Sequence, residues 1–369
     1  MRIGIDARLY GISDRGIGRY TEKLIGYLEK IDFENDYFIF LREKGFKNYQ
    51  PKNKNFHKVL ANFRPYSLKE QIIFPFKLYK FNLDLVHFSH FNLPIFYRRP
   101  FVMTIHDLII SKFPESRRKV TTLPYFLYQI KLIIYQSILK NAVKSAKKII
   151  AVSNSTKKDI INLLKIKPEK IFVTYEGVDK LEIGNWKLEI GSPYILYVGA
   201  AYPHKNLERL LMAFKNLKIS DLKLILVGKK DFFYEWLEKY SQELDLADRV
   251  KFMGEVSDEE LASLYQNAIF FIFPSLCEGF GLPGLEAMAY GLPVAASSVS
   301  SLPEILGQAA FYFNPYHLEE MEQVMFILST NENLRKNLRE KGLEQVKKYS
   351  WQKMAQETLD VYKGALSGK

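Results

Sequence analysis

The sequence predicts a parallel α/β protein made of two doubly wound halves. Short runs of apolar, β-branched and aromatic residues alternate with helical patterns along all 369 residues, as in chains of βαβ units. This length suits two ordinary domains, and 47% hydrophobic residues suffice for two cores. A glycine-broken pattern then separates the two series of strands. We expect an N-terminal domain over 1–180, a linker over 181–192, a C-terminal domain over 193–349 and a last helix over 350–369.

Six strands are predicted in each half. Those of the first half are Arg2–Ile5, Tyr37–Leu41, Leu85–Phe88, Phe101–Ile105, Lys148–Val152 and Ile171–Tyr175. Those of the second half are Tyr194–Val198, Leu222–Val227, Val250–Phe252, Ile269–Phe273, Val294–Ala296 and Phe311–Phe313. Helices are predicted over Leu123–Leu139, Leu318–Leu328 and Asn331–Lys348, and the last one should begin near Ser350, a suitable N-cap.

A glycine pair follows the first strand. Gly16 and Gly18 precede a helical pattern, and Gly-x-Gly between a strand and a helix is a weak phosphate-loop pattern as well as an ordinary turn. The third glycine of the dinucleotide fingerprint is absent.

Histidines follow two later strands. His106 and Asp107 come after Phe101–Ile105, where a side chain can face a ligand or simply be a satisfied polar group. His87 and His90 form an H-x-x-H pair, which without a third ligand is poor evidence for a metal. We expect this pair to be structural or to face an acceptor.

Positive charge is concentrated in the first half of the chain. Residues 1–180 hold 33 Lys and Arg against 16 Asp and Glu, and the remaining residues hold 20 against 25. Two segments, 64–80 and 117–148, interleave these charges with apolar and aromatic residues. Such a surface suits an anionic membrane or a lipid-diphosphate acceptor, whereas the plainer alternative is a core helix with solvated lysines. Charge alone would also fit nucleic acid, but no such motif is present and we expect no such partner.

Composition also bears on the compartment. A single cysteine, Cys277, excludes an internal disulfide framework and fits a reducing compartment. No run of 18 uncharged apolar residues occurs, and the first residues form a strand rather than a signal peptide. These features predict a cytoplasmic protein, with the inner face of the cell membrane as a peripheral site for its basic half.

Ligand-binding patterns dominate the second half. Gly199 ends a strand, and Lys205 lies at the start of the next helix, where it can neutralise a diphosphate or be solvated. After Ile269–Phe273, two glycines permit a tight bend and Pro283 suits the first turn of a helix predicted over 284–290. Two carboxylates flank this helix start, which suits a sugar joined to a phosphate. Taken singly, the same glycines could be turn-formers and the second carboxylate a favourable helix charge.

These carboxylates carry a family resemblance. Glu278 and Glu286, separated by seven residues that include Gly-Phe-Gly-Leu-Pro, resemble the E-x7-E signature of the retaining glycosyltransferases of family 4. The similarity continues through 291–297 and 300–305 and is strongest to the mannosyltransferase-like branch. It implies the GT-B fold, in which two Rossmann-like domains face each other across a cleft and the final helix crosses back to the N-terminal, acceptor-side domain.

The resemblance also implies functional residues. Glu278 would contact the transferred sugar, which His106 and Asp107 would also approach. Glu286 would bind the ribose and Lys205 the diphosphate. The other implied donor-binding residues are Gly16, Gly18, Gly199, His204, Gly254, Val256, Gly279, Phe280, Gly281 and Leu282. His204 stands where similar enzymes carry arginine, so positive charge at the phosphates is thinner than in those enzymes.

The reaction implied by the resemblance is transfer of a hexose with retention of configuration. The donor expected is GDP-mannose, with a dTDP- or UDP-linked rhamnose or glucose as the alternative, and the acceptor a polysaccharide or lipid-linked oligosaccharide. No Asp-x-Asp pair of the kind that holds a divalent ion is present, so we expect no metal and no cofactor. Two rival classes stay open: a GT-B epimerase or phosphorylase, and a non-catalytic, membrane-associated scaffold that binds sugar nucleotides.

Overall fold

The structure, a computed structural model, describes residues 1–11, 15–64, 67–114, 124–179 and 190–367. Contacts between these residues divide them into two compact units. The first contains 1–108, 124–177 and 350–367, and the second contains 109–114, 178–179 and 190–349. Most of the predicted linker lies outside the described residues, as do Arg117, Arg118 and Lys119 of the basic segment.

The first unit contains a parallel sheet whose described strands follow the order β3-β2-β1-β4-β5-β6-β7. The strands are β1 Arg2–Asp6, β2 Asp36–Leu41, β3 Phe56–Leu60, β4 Leu85–Phe88, β5 Phe101–Ile105, β6 Lys148–Ala151 and β7 Ile171–Val173. β4 and β5 are buried along their whole length, as expected for inner strands of a parallel sheet.

The second unit contains another parallel sheet, with the order β10-β9-β8-β11-β12-β13. Its strands are β8 Tyr194–Val198, β9 Lys223–Val227, β10 Val250–Gly254, β11 Phe270–Phe273, β12 Val294–Ser297 and β13 Ala310–Phe313. A hydrophobic core joins these strands to helices through buried residues such as Leu211, Phe214 and Met325.

Helices connect most of the successive strands in both units, with β4 and β5 as an exception, and three helices follow the last strand. The helices are α1 Arg15–Ile31, α2 Glu43–Asn48, α3 Leu68–Tyr79, α4 Ile109–Lys112, α5 Tyr125–Ser145, α6 Asn154–Leu164, α7 Leu207–Asn216, α8 Phe232–Glu243, α9 Asp258–Asn267, α10 Leu282–Ala289, α11 Leu302–Leu306, α12 Leu318–Thr330, α13 Glu332–Val346 and α14 Trp351–Leu366. In the described part of the chain, none of these helices combines the length and the apolar character needed to cross a membrane.

The structure adds one strand to the sequence-based elements and moves several boundaries. Strand β7 ends two residues earlier than predicted, and β10 ends two residues later. Strand β3 was missed, because Phe56–Leu60 lies at the sheet edge and exposes His57 and Leu60, so it lacks the continuous apolar run of an inner strand. The helix predicted from Leu123 starts at Tyr125 and runs on to Ser145. Helix α10 starts two residues earlier than predicted, because Gly281 already serves as its N-cap.

The final helix belongs to the first unit. Helix α14 packs against α1, and Ser350 caps it by accepting a hydrogen bond from the Lys353 N–H at 3.4 Å. A Cβ on Gly177 would lie 2.1 Å from the Trp351 nitrogen, so only glycine permits this close approach. Trp351 is 2% exposed and anchors the start of the helix.

A buried hydrogen-bond chain attaches the same helix to the sheet. His87 Nδ1 lies 2.6 Å from the Tyr362 hydroxyl on α14, and Nε2 lies 2.8 Å from Thr104 Oγ1. Thr104 Oγ1 is also 3.1 Å from the Tyr20 hydroxyl on α1. Burial, with a further contribution from His106, lowers the pKa of His87 to about 3. His87 is therefore a structural, neutral imidazole, which is one of the two roles that the sequence left open.

The buried, neutral His87 predicts that the stability of the folded protein decreases in acid. Because the pKa of His87 is depressed on folding, the unfolded chain takes up a proton near pH 6.5 that the folded chain excludes. The free energy of unfolding should therefore fall as pH drops below 6.5, by about 1.4 kcal/mol per pH unit from this group. Urea unfolding between pH 4.5 and 7.5 should show a shallower slope in His87→Gln. Equal slopes in the two proteins would contradict a buried neutral His87.

Candidate functional site

The carboxyl ends of β8 and β11 lie side by side at the reversal of strand order in the second sheet. The two strands pair through Ile195 with Phe270 and Leu196 with Phe271. Open parallel sheets bind ligands in the crevice outside the carboxyl ends at such a reversal. The loops that leave these strands carry Lys205 and Glu278, so the topology brings these two predicted ligand-binding residues to one edge of the sheet.

Hydrogen bonds hold the turn after β8 against the loop after β11. A 3₁₀ turn ends at Lys205, and Asn206 follows it with a left-handed φ of 62°. The Asn206 amide donates to the Pro274 carbonyl at 3.1 Å and to a second carbonyl at 3.0 Å. The Leu276 N–H donates to the His204 carbonyl at 2.7 Å. These bonds fix where the Lys205 side chain leaves the backbone.

Lys205 and Glu278 form an ion pair. Lys205 Nζ lies 2.5 Å from Glu278 Oε1, and the two side chains are 17% and 10% exposed. A pair so withdrawn from water has lost hydration from both charges, and each partner is therefore costly to leave unpaired. A diphosphate that reached this edge would compete with Glu278 for the same ammonium group.

Two serines fix the backbone of Glu278. Ser300 Oγ accepts from the Glu278 N–H at 3.2 Å and donates to the Glu278 carbonyl at 2.7 Å. Ser301 Oγ lies 3.0 Å from the carbonyls of both Glu278 and Phe280. Ser300 holds this position with a φ of 60°, an uncommon conformation for a residue other than glycine. The sequence showed these serines only as part of a motif, because their role depends on contacts across 22 residues.

The loop ends in the N-terminus of α10. Gly281 is the N-cap residue with a φ of 105°, and a Cβ there would lie 2.7 Å from Leu302 Cδ2. Pro283 occupies the first turn, as predicted. The first N–H groups of a helix have no partner within it, so the start of α10 presents a partly positive backbone edge.

Glu286 lies one turn inside α10. It is 7% exposed, and Oε2 accepts from the Tyr265 hydroxyl at 3.2 Å. The Tyr265 ring stacks on Tyr290 with centroids 5.4 Å apart. Tyr265 therefore fixes the orientation of a carboxylate that the sequence assigned to ribose binding. This tyrosine was not predicted, because it lies on α9, 21 residues from its partner.

Three glycines bring the ends of β8, β9 and β10 close together. The Gly228 N–H donates to the Gly254 carbonyl at 3.0 Å, and a Cβ on Gly228 would lie 2.0 Å from the Gly199 oxygen. The Tyr234 hydroxyl donates to the same Gly199 oxygen at 2.7 Å. Gly199 and Gly254 were predicted, together with the half-buried Val256, and Gly228 was missed although it also follows a strand directly.

An aromatic pocket of about 730 Å³ adjoins the turn that carries Lys205. Its wall includes Tyr202, Pro203, Asn206, Phe233 and Trp236. The Tyr202 ring stacks with His204 at 5.8 Å and 27°. His204, which stands in place of an arginine, is thus 7% exposed and packed against an aromatic ring.

The first unit holds the remaining predicted residues. His106 Nε2 lies 3.0 Å from the Ser89 carbonyl and Nδ1 lies 3.2 Å from Glu176 Oε1, while the ring meets Tyr20 edge-on at 4.7 Å. A carbonyl only accepts, so Nε2 carries a proton. Both ring nitrogens have protein partners. The predicted contact with the sugar therefore requires that the sugar replace one of these partners. Asp107, the next residue, is half-buried.

Gly16 and Gly18 lie inside helix α1 and not in a loop before it, which corrects the sequence-based expectation. The close packing at position 18 requires glycine, because a Cβ there would lie 1.9 Å from the Gly11 oxygen. Gly16 is exposed, with no atom within 4 Å of an added Cβ. In the described ranges no group of three or more His, Cys, Asp or Glu residues is arranged to hold a metal ion.

Comparison with known proteins matches both halves of the chain. A family model described as Glycosyltransferase Family 4 covers residues 15–180, and one described as Glycosyl transferases group 1 covers residues 181–345. The solved structure of Anabaena HepE in complex with UDP-glucose has a TM-score of 0.73 and 18% identity over 98% of this chain and 99% of that one.

Curated relatives give the same family. The O-antigen chain mannosyltransferase RfbU of Salmonella typhimurium is 34% identical over 63% of this chain, and the match spans 62% of the relative. The O-antigen chain mannosyltransferase B of Escherichia coli is 30% identical over 76% of this chain and 74% of the relative. Together with the two doubly wound sheets, these matches show that the chain belongs to glycosyltransferase family 4 and has the GT-B fold.

Proposed function

We propose that this glycosyltransferase moves mannose from GDP-mannose to a polysaccharide or lipid-linked oligosaccharide, with retention of configuration and without a divalent metal. The observation that carries the proposal is the Lys205–Glu278 ion pair beside the N-terminus of α10. This arrangement offers a cation, a carboxylate and backbone amides at one edge of the sheet. This set complements the phosphates and hydroxyls of a sugar nucleotide.

The donor would lie along the second sheet. Lys205 and the amides near Gly279 would bind the diphosphate, and Glu286, oriented by Tyr265, would accept from the ribose hydroxyls. The backbone near Val256 would meet the base. Because Lys205 and the helix N-terminus already supply positive potential, and no Asp-x-Asp pair is present in the sequence, we propose that the diphosphate is neutralised without a metal ion.

The chemical step breaks the bond between the sugar C1 and the diphosphate oxygen and forms one from C1 to an acceptor hydroxyl. Negative charge grows on the departing phosphate, where preorganised donors stabilise the transition state most. Lys205 is such a donor once it has left Glu278. Glu278 is then available to the sugar ring as a hydrogen-bonding and electrostatic group, and His106 and Asp107 would act on the same sugar. The hydroxyl proton leaves to the phosphate or to solvent.

The choice of mannose rests on two relatives that are named mannosyltransferases. A UDP- or dTDP-linked glucose or rhamnose is the alternative, which the HepE complex with UDP-glucose supports on fold alone. A non-catalytic scaffold is the alternative of another class, because His204 thins the positive charge at the phosphates. We place the enzyme in the cytoplasm, peripheral to the inner face of the cell membrane.

A thermal-shift screen of GDP-mannose and of UDP-, ADP- and dTDP-sugars, with EDTA present, identifies the donor. GDP-mannose should raise the melting temperature by about 5 °C at a concentration near 100 times its Kd. Glu286→Ala should abolish the shift, because the ribose loses its acceptor. Glu259→Ala, which removes an exposed carboxylate from the neighbouring helix α9, is the matched control and should keep it. A shift with another sugar nucleotide would identify that compound, and not GDP-mannose, as the donor. No shift with any of these sugar nucleotides would favour the non-catalytic scaffold.

A second test uses the ion pair itself. Glu278→Gln should tighten GDP binding by about tenfold, because Lys205 no longer has to leave a carboxylate, while mannosyl transfer falls. Lys205→Gln should weaken GDP binding by about tenfold or more. Isothermal titration of both variants and of the double variant checks this. Unchanged or weaker GDP binding by Glu278→Gln would show that Lys205 does not exchange partners.

A further inference from the structure

The second unit collects exposed apolar side chains at the aromatic pocket. Six large apolar side chains are exposed in the described part of this unit, and three of them, Met212, Phe232 and Trp236, line the pocket. Single exposed apolar residues are ordinary, but three around one concave space of about 730 Å³ are typical of a ligand site. The proposed donor contacts use none of these three side chains.

The aromatic wall of the pocket is held in place by contacts between its own rings. The Phe233 ring meets Phe232 at 5.6 Å and Tyr202 at 5.3 Å, both edge-on. Trp236 stacks on Tyr240 with ring centroids 5.3 Å apart and an angle of 12°. Protein thus covers one face of the indole, while the residue is still 39% exposed. A ligand therefore meets a flat aromatic surface that is already positioned.

The pocket also has polar groups of both signs. Glu208 and Arg209, next to each other at the start of α7, are the charged residues of its described lining. Arg209 is exposed, and its Nη1 donates to Asn206 Oδ1 at 3.1 Å. Because a guanidinium has five N–H donors, further donors remain for the oxygens of a ligand. The two opposite charges offer hydrogen bonds without favouring an anionic or a cationic ligand.

One turn of the chain serves both the pocket and the proposed donor contacts. Tyr202, Pro203 and Asn206 line the pocket, whereas Lys205 pairs with Glu278. Neither residue of this ion pair belongs to the described lining. The pocket therefore adjoins the donor contacts and is not part of them.

The chemistry of the pocket fits a neutral saccharide. A hexopyranose ring has a face of C–H groups, which packs on a flat aromatic ring, and a rim of hydroxyls that donate and accept hydrogen bonds. A phosphate-bearing ligand would find no excess of positive charge here, since Glu208 offsets Arg209. A purely aliphatic ligand would leave both of these polar side chains without partners.

We propose that the aromatic pocket is a second saccharide-binding site, in which a sugar ring stacks on Trp236 while Glu208 and Arg209 form hydrogen bonds with its hydroxyls. The occupant is a neutral stretch of the saccharide chain that the enzyme extends, bound to the second unit outside the donor contacts. The identity of that chain rests on the proposed function. Binding of a saccharide to the pocket needs no donor, so it can be measured separately.

Saturation-transfer NMR on the full chain tests the site, with α-linked trisaccharides of mannose and of glucose as neutral probes. The mannose trisaccharide, the glucose trisaccharide or both should bind, with the strongest transfer to ring C–H protons. Trp236→Ala should weaken binding by about tenfold or more, because the flat surface is lost, and Trp236→Phe should recover part of it. The matched control, Phe326→Ala, removes a ring that is 52% exposed in the same unit and outside the pocket lining, and should leave binding unchanged.

Three results would overturn the proposal: no transfer to either trisaccharide, equal affinities of Trp236→Ala and Phe326→Ala, or displacement of the bound trisaccharide by GDP. The last result would make the pocket part of the donor site. The GDP-mannose thermal shift of the unaltered protein separates the two claims. A shift without trisaccharide binding defeats only the second site. Trisaccharide binding without any nucleotide shift defeats only the proposed donor.

Discussion

The attachment of the turn after β8 to the loop after β11 determines where the Lys205 and Glu278 side chains lie. Parallel strands bring their carboxyl ends to one edge, and the reversal of strand order leaves room between these two loops. Asn206 and Leu276 join the backbone of the turn to the backbone of the loop through hydrogen bonds of 3.1 and 2.7 Å. The Lys205–Glu278 pair then joins the side chains. Without this attachment, α10 would present its N-terminus with no cation beside it.

The Lys205–Glu278 ion pair is suited to a change of partners when a ligand binds. Two charges withdrawn from water gain little net stability from each other, yet each is costly to leave alone. A diphosphate can take the lysine and a sugar hydroxyl can take the carboxylate, so the bound state keeps both charges paired. The serines at 300 and 301 hold the backbone of Glu278, and Tyr265 holds the Glu286 carboxylate, during such an exchange.

The sequence predicted the inner strands well because a strand buried on both faces leaves an uninterrupted apolar run. Ten of the twelve predicted strands, among them Leu85–Phe88 and Tyr194–Val198, agree within one residue at both ends. Strand β3 was missed because an edge strand alternates with solvent-facing residues. The apolar residues of α3 could not be divided between core and surface, because both faces of that helix are apolar and only tertiary packing distinguishes them.

The site was predictable in its residue types and not in its contacts. A local motif revealed Glu278 and Glu286, but their partners Lys205 and Tyr265 lie 73 and 21 residues away, beyond any local pattern. The two protein partners of His106 are also visible only in the fold, since Glu176 is 70 residues from it.

A crystal structure with GDP bound tests the central claim most directly. The account predicts Lys205 Nζ at about 2.8 Å from a diphosphate oxygen, Glu286 on the ribose hydroxyls, and the Lys205–Glu278 contact broken. GDP seated elsewhere, for instance in the aromatic pocket beside Trp236, with Lys205 still paired to Glu278, would contradict it.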